Sequence, residues 1–263
     1  MPRFTDADPE LLARVDTVLT DVDDTLTRHG KLSATTLGAM ADLMAAGIRV
    51  IPVTGGCAGW CDHIVRAWPV AAVIGESGAF RFRLDERGRL ERHFIRPLAE
   101  LQDEQRRLLA IAEQALQQVP EARLAADQPY RLADVAIDHA QDVGPLGAES
   151  VATLIGLFGE AGASARASSI HVNAWFGDHD KAAMATRLLV EDMGIDGEAR
   201  ERRVLFIGDA PNDEPLFRDI PLSVGVANVT PHLDRMTHHP RWLCEASHGE
   251  GFVEMARGLL AAR

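Results

Sequence analysis

The sequence predicts an α/β protein whose core is a doubly wound, mainly parallel Rossmann-like sheet carrying an inserted α+β cap domain. Three observations lead there. Short apolar runs rich in Val and Ile alternate with helix-length amphipathic stretches near both ends of the chain. Such runs stop abruptly at acidic or glycine-rich residues, as at Asp21-Val22-Asp23-Asp24-Thr25 and Gly208-Asp209-Ala210-Pro211-Asn212-Asp213. Between these halves the pattern changes to a hairpin and long helices. With 263 residues, 46% of them hydrophobic, the chain can build two cores.

In chain order, residues 15 to 20 read as a buried strand that delivers Asp21 and Asp23 to its carboxyl end. Side chains two apart in a strand share a face, so the two carboxylates are expected to converge. Ser33 caps a helix to about Ala46, with Leu37, Met40, Ala41 and Met44 at helical spacing and Gly47 ending it. Ile48 to Val53 is a second strand stopped by Thr54-Gly55-Gly56, a helix runs to about Trp68, and Val70 to Ile74 is a third strand. Ala79 to Leu84 and Leu90 to Ile95 form a β-hairpin about Asp85-Glu86-Arg87-Gly88. A charged helix over 97 to 119, apolar segments near Leu124 and Leu132 to Ile137, a helix near 147 to 162 and an alternating stretch from Ala163 to Trp175 follow. The core resumes with a helix from Lys181, strands at Arg203 to Ile207 and Pro221 to Val226, and a closing helix over 249 to 262. The expected division is therefore residues 1–84 and 177–263 for the core and 85–176 for the cap.

A net charge of -12 argues against nucleic acid or an anionic membrane as partner, because no basic surplus exists to neutralise phosphates. No run approaches the ~18 apolar residues of a membrane span, and the amino terminus has no apolar signal-like stretch. Three cysteines, Cys57, Cys61 and Cys244, form no disulfide framework and suit a reducing cytoplasm. Cys57 and Cys61, one helical turn apart, are assigned to packing and to the helix start rather than to zinc.

The chemistry gathers where the strands end. Two unpaired carboxylates at Asp21 and Asp23 repel each other, and a divalent cation relieves that repulsion; oxygen ligands favour Mg²⁺. Thr54-Gly55-Gly56, between a strand and a helix start, is a phosphate seat by its backbone amides and helix dipole. Lys181 near a helix start opposes the dipole, which suggests that the cation has a task. Gly208 permits a tight exit from its strand, and Asp209 and Asp213 arrive at the same sheet edge as Asp21.

These four elements, in this order, resemble the four motifs of the haloacid dehalogenase superfamily: Asp21-Val22-Asp23-Asp24-Thr25, Thr54, Lys181 and Gly208-Asp209 to Asn212-Asp213. The insertion between the second and third motifs resembles the C2-type caps of its subfamily IIB, the Cof-like and sugar-phosphate phosphatase branch. The resemblance implies a Mg²⁺-dependent phosphatase acting through an aspartyl-phosphate. Asp21 would be the nucleophile and Asp23 the general acid and base. Thr54, Gly55 and Lys181 would bind the phosphoryl group, with Asn212 on the substrate side. Asp21, the Asp23 backbone carbonyl and Asp209 would hold the metal, with Asp213 and Asn212 in its outer shell and Thr25 orienting the acidic turn. Two departures stand out: Asp24 where many relatives carry glycine, and Ser77 where many of this branch carry asparagine.

The expected substrate is a small phosphate monoester, of a sugar or an organic acid, since a cap closing over the sheet edge excludes macromolecules. Arg131, Asp138, His139, Arg166, Ser168 and His171 are the cap residues that could read it. A phosphomannomutase-like phosphotransferase would keep the same catalytic residues. A receiver-like signalling module would also gather acids and a lysine, but it would need a phosphoacceptor Asp after the third strand, where this chain has Gly75-Glu76-Ser77.

Overall fold

The computed structural model describes residues 1–263. Five parallel strands form the central sheet in the spatial order Trp242–Leu243, Leu222–Gly225, Val204–Gly208, Thr17–Thr20, Arg49–Pro52. Leu19 lies opposite Phe206 on one side and Ile51 on the other. Thr17–Thr20 therefore sits between Arg49–Pro52 and Val204–Gly208, and the strand order reverses there. Open α/β sheets hold ligands beyond the carboxyl ends of strands at such a switch point. Asp21 and Asp209 are the first residues past the two strands that flank it.

Strand alternation builds two apolar layers. Val18, Val50, Leu205 and Ile207 pack with Met40 and Leu43 of the helix Ala34–Ala45 and with Phe252, Met255 and Leu259 of His248–Ala261. Leu19, Ile51 and Phe206 point the other way, against Leu188 and Leu189 of Lys181–Met193 and Leu216 of Glu214–Asp219. Each such side chain contributes about 1.5–3 kcal/mol when fully buried, so neither face of the sheet is stable without its helices. The first helix starts where expected: Ser33 Oγ accepts the Thr36 amide at 3.0 Å.

Three details differ from the sequence reading. The expected third strand is shorter, Val73–Gly75, and touches the parallel sheet only through a bridge from Ile74 to Val53. Its main partner is Phe80–Leu84, which pairs in turn with Leu90–Phe94 in a separate antiparallel sheet. The expected boundary at residue 85 thus falls within a hairpin whose strands stay together, with Phe80 stacked on Phe82 at 4.3 Å between ring centroids. The strand Trp242–Leu243 and the short helix Gly197–Arg203 were not anticipated, being too short for their periodicity to register.

The insert has its own sheet, antiparallel, in the order Ser164–Ala167, His171–Trp175, Val135–Asp138, Arg123–Leu124. Helices Leu98–Gln118 and Ala148–Glu160 cover it through Leu108, Ala112, Leu154 and Phe158, packed on Ile137 and Val172.

Candidate active site

Asp21 follows its strand directly and is held in register, its amide donating to the Ile207 carbonyl at 2.9 Å. The carboxylate turns toward Lys181, whose Nζ donates to Asp21 Oδ1 at 2.5 Å and to Asp213 Oδ1 at 2.7 Å. Lys181 is only 3% exposed. Its place at a helix start is built by Asp180, which caps the helix by accepting the Ala183 amide, and by Gly78, whose φ of +104° lets the chain pass against the Asp180 carbonyl. Burial by itself would lower the pKa of the Lys181 ammonium, but Asp21 and Asp213 outweigh it and keep the charge in place. The electrostatic oddity of that lysine is thus resolved by two anions rather than by solvent.

Asp21, Asp209 and Asp213 are all buried, and their carboxylate oxygens lie within 4.8 Å of one another. Burial and the neighbouring Asp213 push the Asp21 carboxyl well up, and burial and Asp21 do the same to Asp209. Asp209 is oriented by Thr25 Oγ1 at 3.0 Å and Asn228 Nδ2 at 3.1 Å. Asp213 is already spent: Oδ1 accepts Lys181, and Oδ2 accepts the Asp209 amide at 3.1 Å and the Ala210 amide at 3.4 Å. Gly208 is required for that closure, since a Cβ there would stand 2.4 Å from Asp213 Oδ2. The donor set fits a hard divalent cation. Asp21 Oδ2 has no partner in the chain, Asp209 retains lone pairs, and one ammonium cannot offset three crowded carboxylates. Asp21 and Asp209 are the residues placed to hold it directly, while Asp213 positions Lys181 and the turn.

Asp23 does not join this group. The strand ends at Thr20 and the chain turns at Val22, whose carbonyl accepts the amides of Leu26 and Thr27. The two-residue alternation that grouped Asp21 with Asp23 therefore does not extend past the strand. Asp23 lines the same cleft as Asp21, partly exposed and near enough for its charge to help raise Asp21, while burial and the adjacent Asp24 raise its own carboxyl to about 6 against the pull of Lys181 and Arg131. Asp24 adopts φ +60°, the left-handed region that favours glycine.

Thr54-Gly55-Gly56 lies at the sheet edge as expected, but its surroundings differ. The amide of Ala58, first in the helix Ala58–Ala67, donates to Glu76 Oε1 at 2.9 Å, so that helix start is already capped by a carboxyl group. What remains for a phosphate is the loop itself. Thr54 Oγ1 accepts the Gly56 amide at 2.9 Å, leaving its own proton to donate, and the Gly55 N–H makes none of the chain's backbone hydrogen bonds. The Gly55 carbonyl is gripped from the insert by Arg131 Nη1 at 2.9 Å and Asn173 Nδ2 at 3.2 Å. Glu76 completes this junction: its two oxygens also accept the amides of Leu132, Ala133 and Asp134 at 2.7–3.2 Å. Burial and Asp134 push its carboxyl up to about 8, while Arg131 and these amides oppose the rise.

A cleft of about 810 Å³ opens over the sheet edge between core and insert, lined by Asp21, Asp23, Thr54, Gly55, Asp209 and Asn212. Asn212 Oδ1 is buried there without a partner. Of the expected cap residues, Arg131, Ser168 and His171 line this cleft, and Arg166 borders a small neighbouring pocket beside Lys181. Asp138 is instead occupied by the amides of residues 140 to 142, and His139 by the Ser168 carbonyl. Sequence reasoning missed Glu76, Asp134, Asn173 and the role of Asn228. The one signal was an acid in the glycine-rich Gly75-Glu76-Ser77-Gly78 after a strand.

No family model matches the sequence, and no curated relative is similar enough to be matched. Solved structures do match along nearly the whole chain. A protein of Thermoplasma acidophilum, 0175, aligns with a TM-score of 0.71 at 19% identity, over 94% of this chain and 98% of its own. A HAD/COF-like hydrolase from Plasmodium vivax aligns with 0.69 at 17% identity, over 97% and 99%. The sucrose-phosphatase from Synechocystis sp. PCC6803, solved with sucrose and phosphate, aligns with 0.65 at 16% identity, over 94% and 98%. At these identities the likeness establishes a common fold, which is that of the haloacid dehalogenase-like hydrolases. No helix is long and apolar enough to cross a membrane.

Proposed function

We propose that this chain, folded as a haloacid dehalogenase-like hydrolase, is a Mg²⁺-dependent phosphatase that hydrolyses a small phosphate monoester through an aspartyl-phosphate. The observation that carries the reading is Lys181, buried and donating to both Asp21 and Asp213, behind a cleft large enough for a metabolite that Asp21 and Asp209 line. A carboxylate so held is a competent nucleophile because a covalent intermediate divides one hard displacement into two. Asp21 attacks phosphorus and forms the acyl-phosphate bond while the ester P–O bond breaks. Asp23, protonated at the outset, gives its proton to the departing alcohol and then takes one from the water that hydrolyses the acyl-phosphate. General acid and base help of this kind contributes about 10²- to 10⁴-fold. Thr54, the Gly55 amide and Lys181 bind the phosphoryl oxygens, and Asn212 closes the seat. Mg²⁺, held by Asp21, Asp209 and the Asp23 carbonyl, would supply positive charge against the phosphoryl oxygens.

The insert, residues 85–176, serves as the cap that limits the substrate to a small molecule, and the reduced thiols favour the cytoplasm. The test is phosphate release from a panel of phosphorylated metabolites, with Mg²⁺ and with chelator. Release that requires Mg²⁺ and disappears in Asp21→Asn is the expected result. Release indifferent to chelation, or intact in Asp21→Asn, refutes the scheme.

A further inference from the structure

The cleft is larger than a phosphoryl group needs, and its walls carry a consistent charge. At about 810 Å³ it matches a ligand-sized site, so most of it faces the leaving group. Its carboxylates are Asp21, Asp23, Asp24, Asp127 and Asp209; the basic side chains facing them are Arg131 and the imidazoles of His29 and His171, the last kept neutral by burial and Arg131. Even with Asp21 and Asp209 committed to a divalent cation, the remaining acids outnumber that arginine.

Arg131 is, moreover, not free to meet a ligand. Its side chain is 0% exposed. Nε and Nη2 donate to Asp127 at 3.0 and 2.8 Å, and Nη1 donates to Asp134 at 2.9 Å and to the Gly55 carbonyl at 2.9 Å. Lys181 is committed to Asp21 and Asp213 in the same way. Arg166 is exposed, but it borders a neighbouring pocket of only about 20 Å³ with Lys181 and Asn212, too small for a leaving group. The rest of the main wall has no lysine, arginine or further acid: Gln141, Ser168, Ser169 and Asn173 offer hydrogen bonds, as do the imidazoles of His29 and His171. At its edge stand Trp60, 55% exposed, and Tyr130, 65% exposed, two of the few large apolar side chains that the protein leaves open. Tyr130 packs over Gly59, the residue before Trp60, and both aromatic side chains line the cleft.

We propose that the substrate's leaving group carries no negative charge: it is an uncharged, hydroxyl-rich alcohol lying along the polar wall toward Trp60 and Tyr130. Esters of hydroxy acids, and bisphosphates, are turned away by the cleft's own carboxylates, because a second anion there finds no unpaired lysine or arginine in the cleft lining. This inference rests on the phosphatase reading and narrows it, setting aside phosphorylated organic acids as substrates.

Matched pairs test it: glucose 6-phosphate with 6-phosphogluconate, and glycerol 3-phosphate with 3-phosphoglycerate, alongside p-nitrophenyl phosphate as a generic probe. Within each pair kcat/KM is expected to be at least about tenfold higher for the neutral member, the scale of one like-charge encounter in a half-buried site. Asp127→Asn removes one wall charge and releases an edge of Arg131, so it should raise the acid-to-neutral ratio severalfold. An acid member turned over as fast as its neutral partner overturns the proposal while leaving the phosphatase intact. An acid preference that collapses in Arg166→Ala overturns it too, and names Arg166 as the reader. No release from any of these esters, p-nitrophenyl phosphate included, sinks the phosphatase reading and this inference with it.

Discussion

Two buried clusters in this molecule have the same charge stoichiometry and different fates. At the sheet edge, Asp21, Asp209 and Asp213 surround Lys181; at the junction of core and insert, Glu76, Asp127 and Asp134 surround Arg131. The difference lies in the supply of donors. Glu76 takes four backbone amides, Asp127 takes the fork of the guanidinium, and Asp134 takes Arg131 and Asn173. At the sheet edge Asp21 Oδ2 has no donor, and Asp209 has only Thr25 and Asn228. Equal numbers of charges therefore give a scaffold where lone pairs are satisfied and a reactive site where they are left over.

The contrast can be broken most forcefully at Asp21. Asp21→Asn should lower turnover by about 10⁴-fold or more, while the thermal midpoint measured in chelator stays level or rises, because one repelling charge is gone. A variant that loses activity only by unfolding would place Asp21 with the scaffold instead. Lys181→Met comes next, with a loss of about 10²- to 10³-fold in kcat and a lower melting point in chelator. Added Mg²⁺ should narrow that stability gap by offsetting the abandoned carboxylates, as differential scanning fluorimetry would read.

A smaller effect concerns acidity at the cleft. In the proposed scheme the Asp23 carboxyl, raised to about 6, can deliver a proton only from its protonated form. For alkyl esters kcat/KM should thus fall by about tenfold per pH unit above about 6, and with p-nitrophenyl phosphate, whose leaving group needs no proton, this limb should flatten. The smallest change in turnover is expected at the junction. Glu76→Gln aims an amide donor at amides that need an acceptor, so it should cost about 2–4 kcal/mol in urea unfolding while kcat stays within about threefold. A collapse of kcat without loss of stability would show that the two clusters are not separable.

The sequence made the sheet-edge cluster legible because each member stands at a place defined by local pattern. Asp21 and Asp209 follow β-branched runs, Thr54 precedes a helix, and Lys181 opens one against the dipole. Local pattern put Asp23 in the same cleft as Asp21, though outside the carboxylate cluster, and it misled at the helix after Gly56, whose first amide is taken by Glu76. The junction was illegible for a different reason. Glu76 meets Leu132 and Asp134, and Asn173 meets Gly55, across more than fifty positions, and nothing periodic announces such partners. Single acids in glycine-rich loops look alike until the chain is folded.

The grip of Arg131 and Asn173 on the Gly55 carbonyl has a consequence for traffic. An insert that swung outward would strip that carbonyl of both donors and leave the reactive loop slack at the moment of entry or exit. Entry that left both contacts closed, through the side of the cleft that Trp60 and Tyr130 line, would instead keep that loop held between visits.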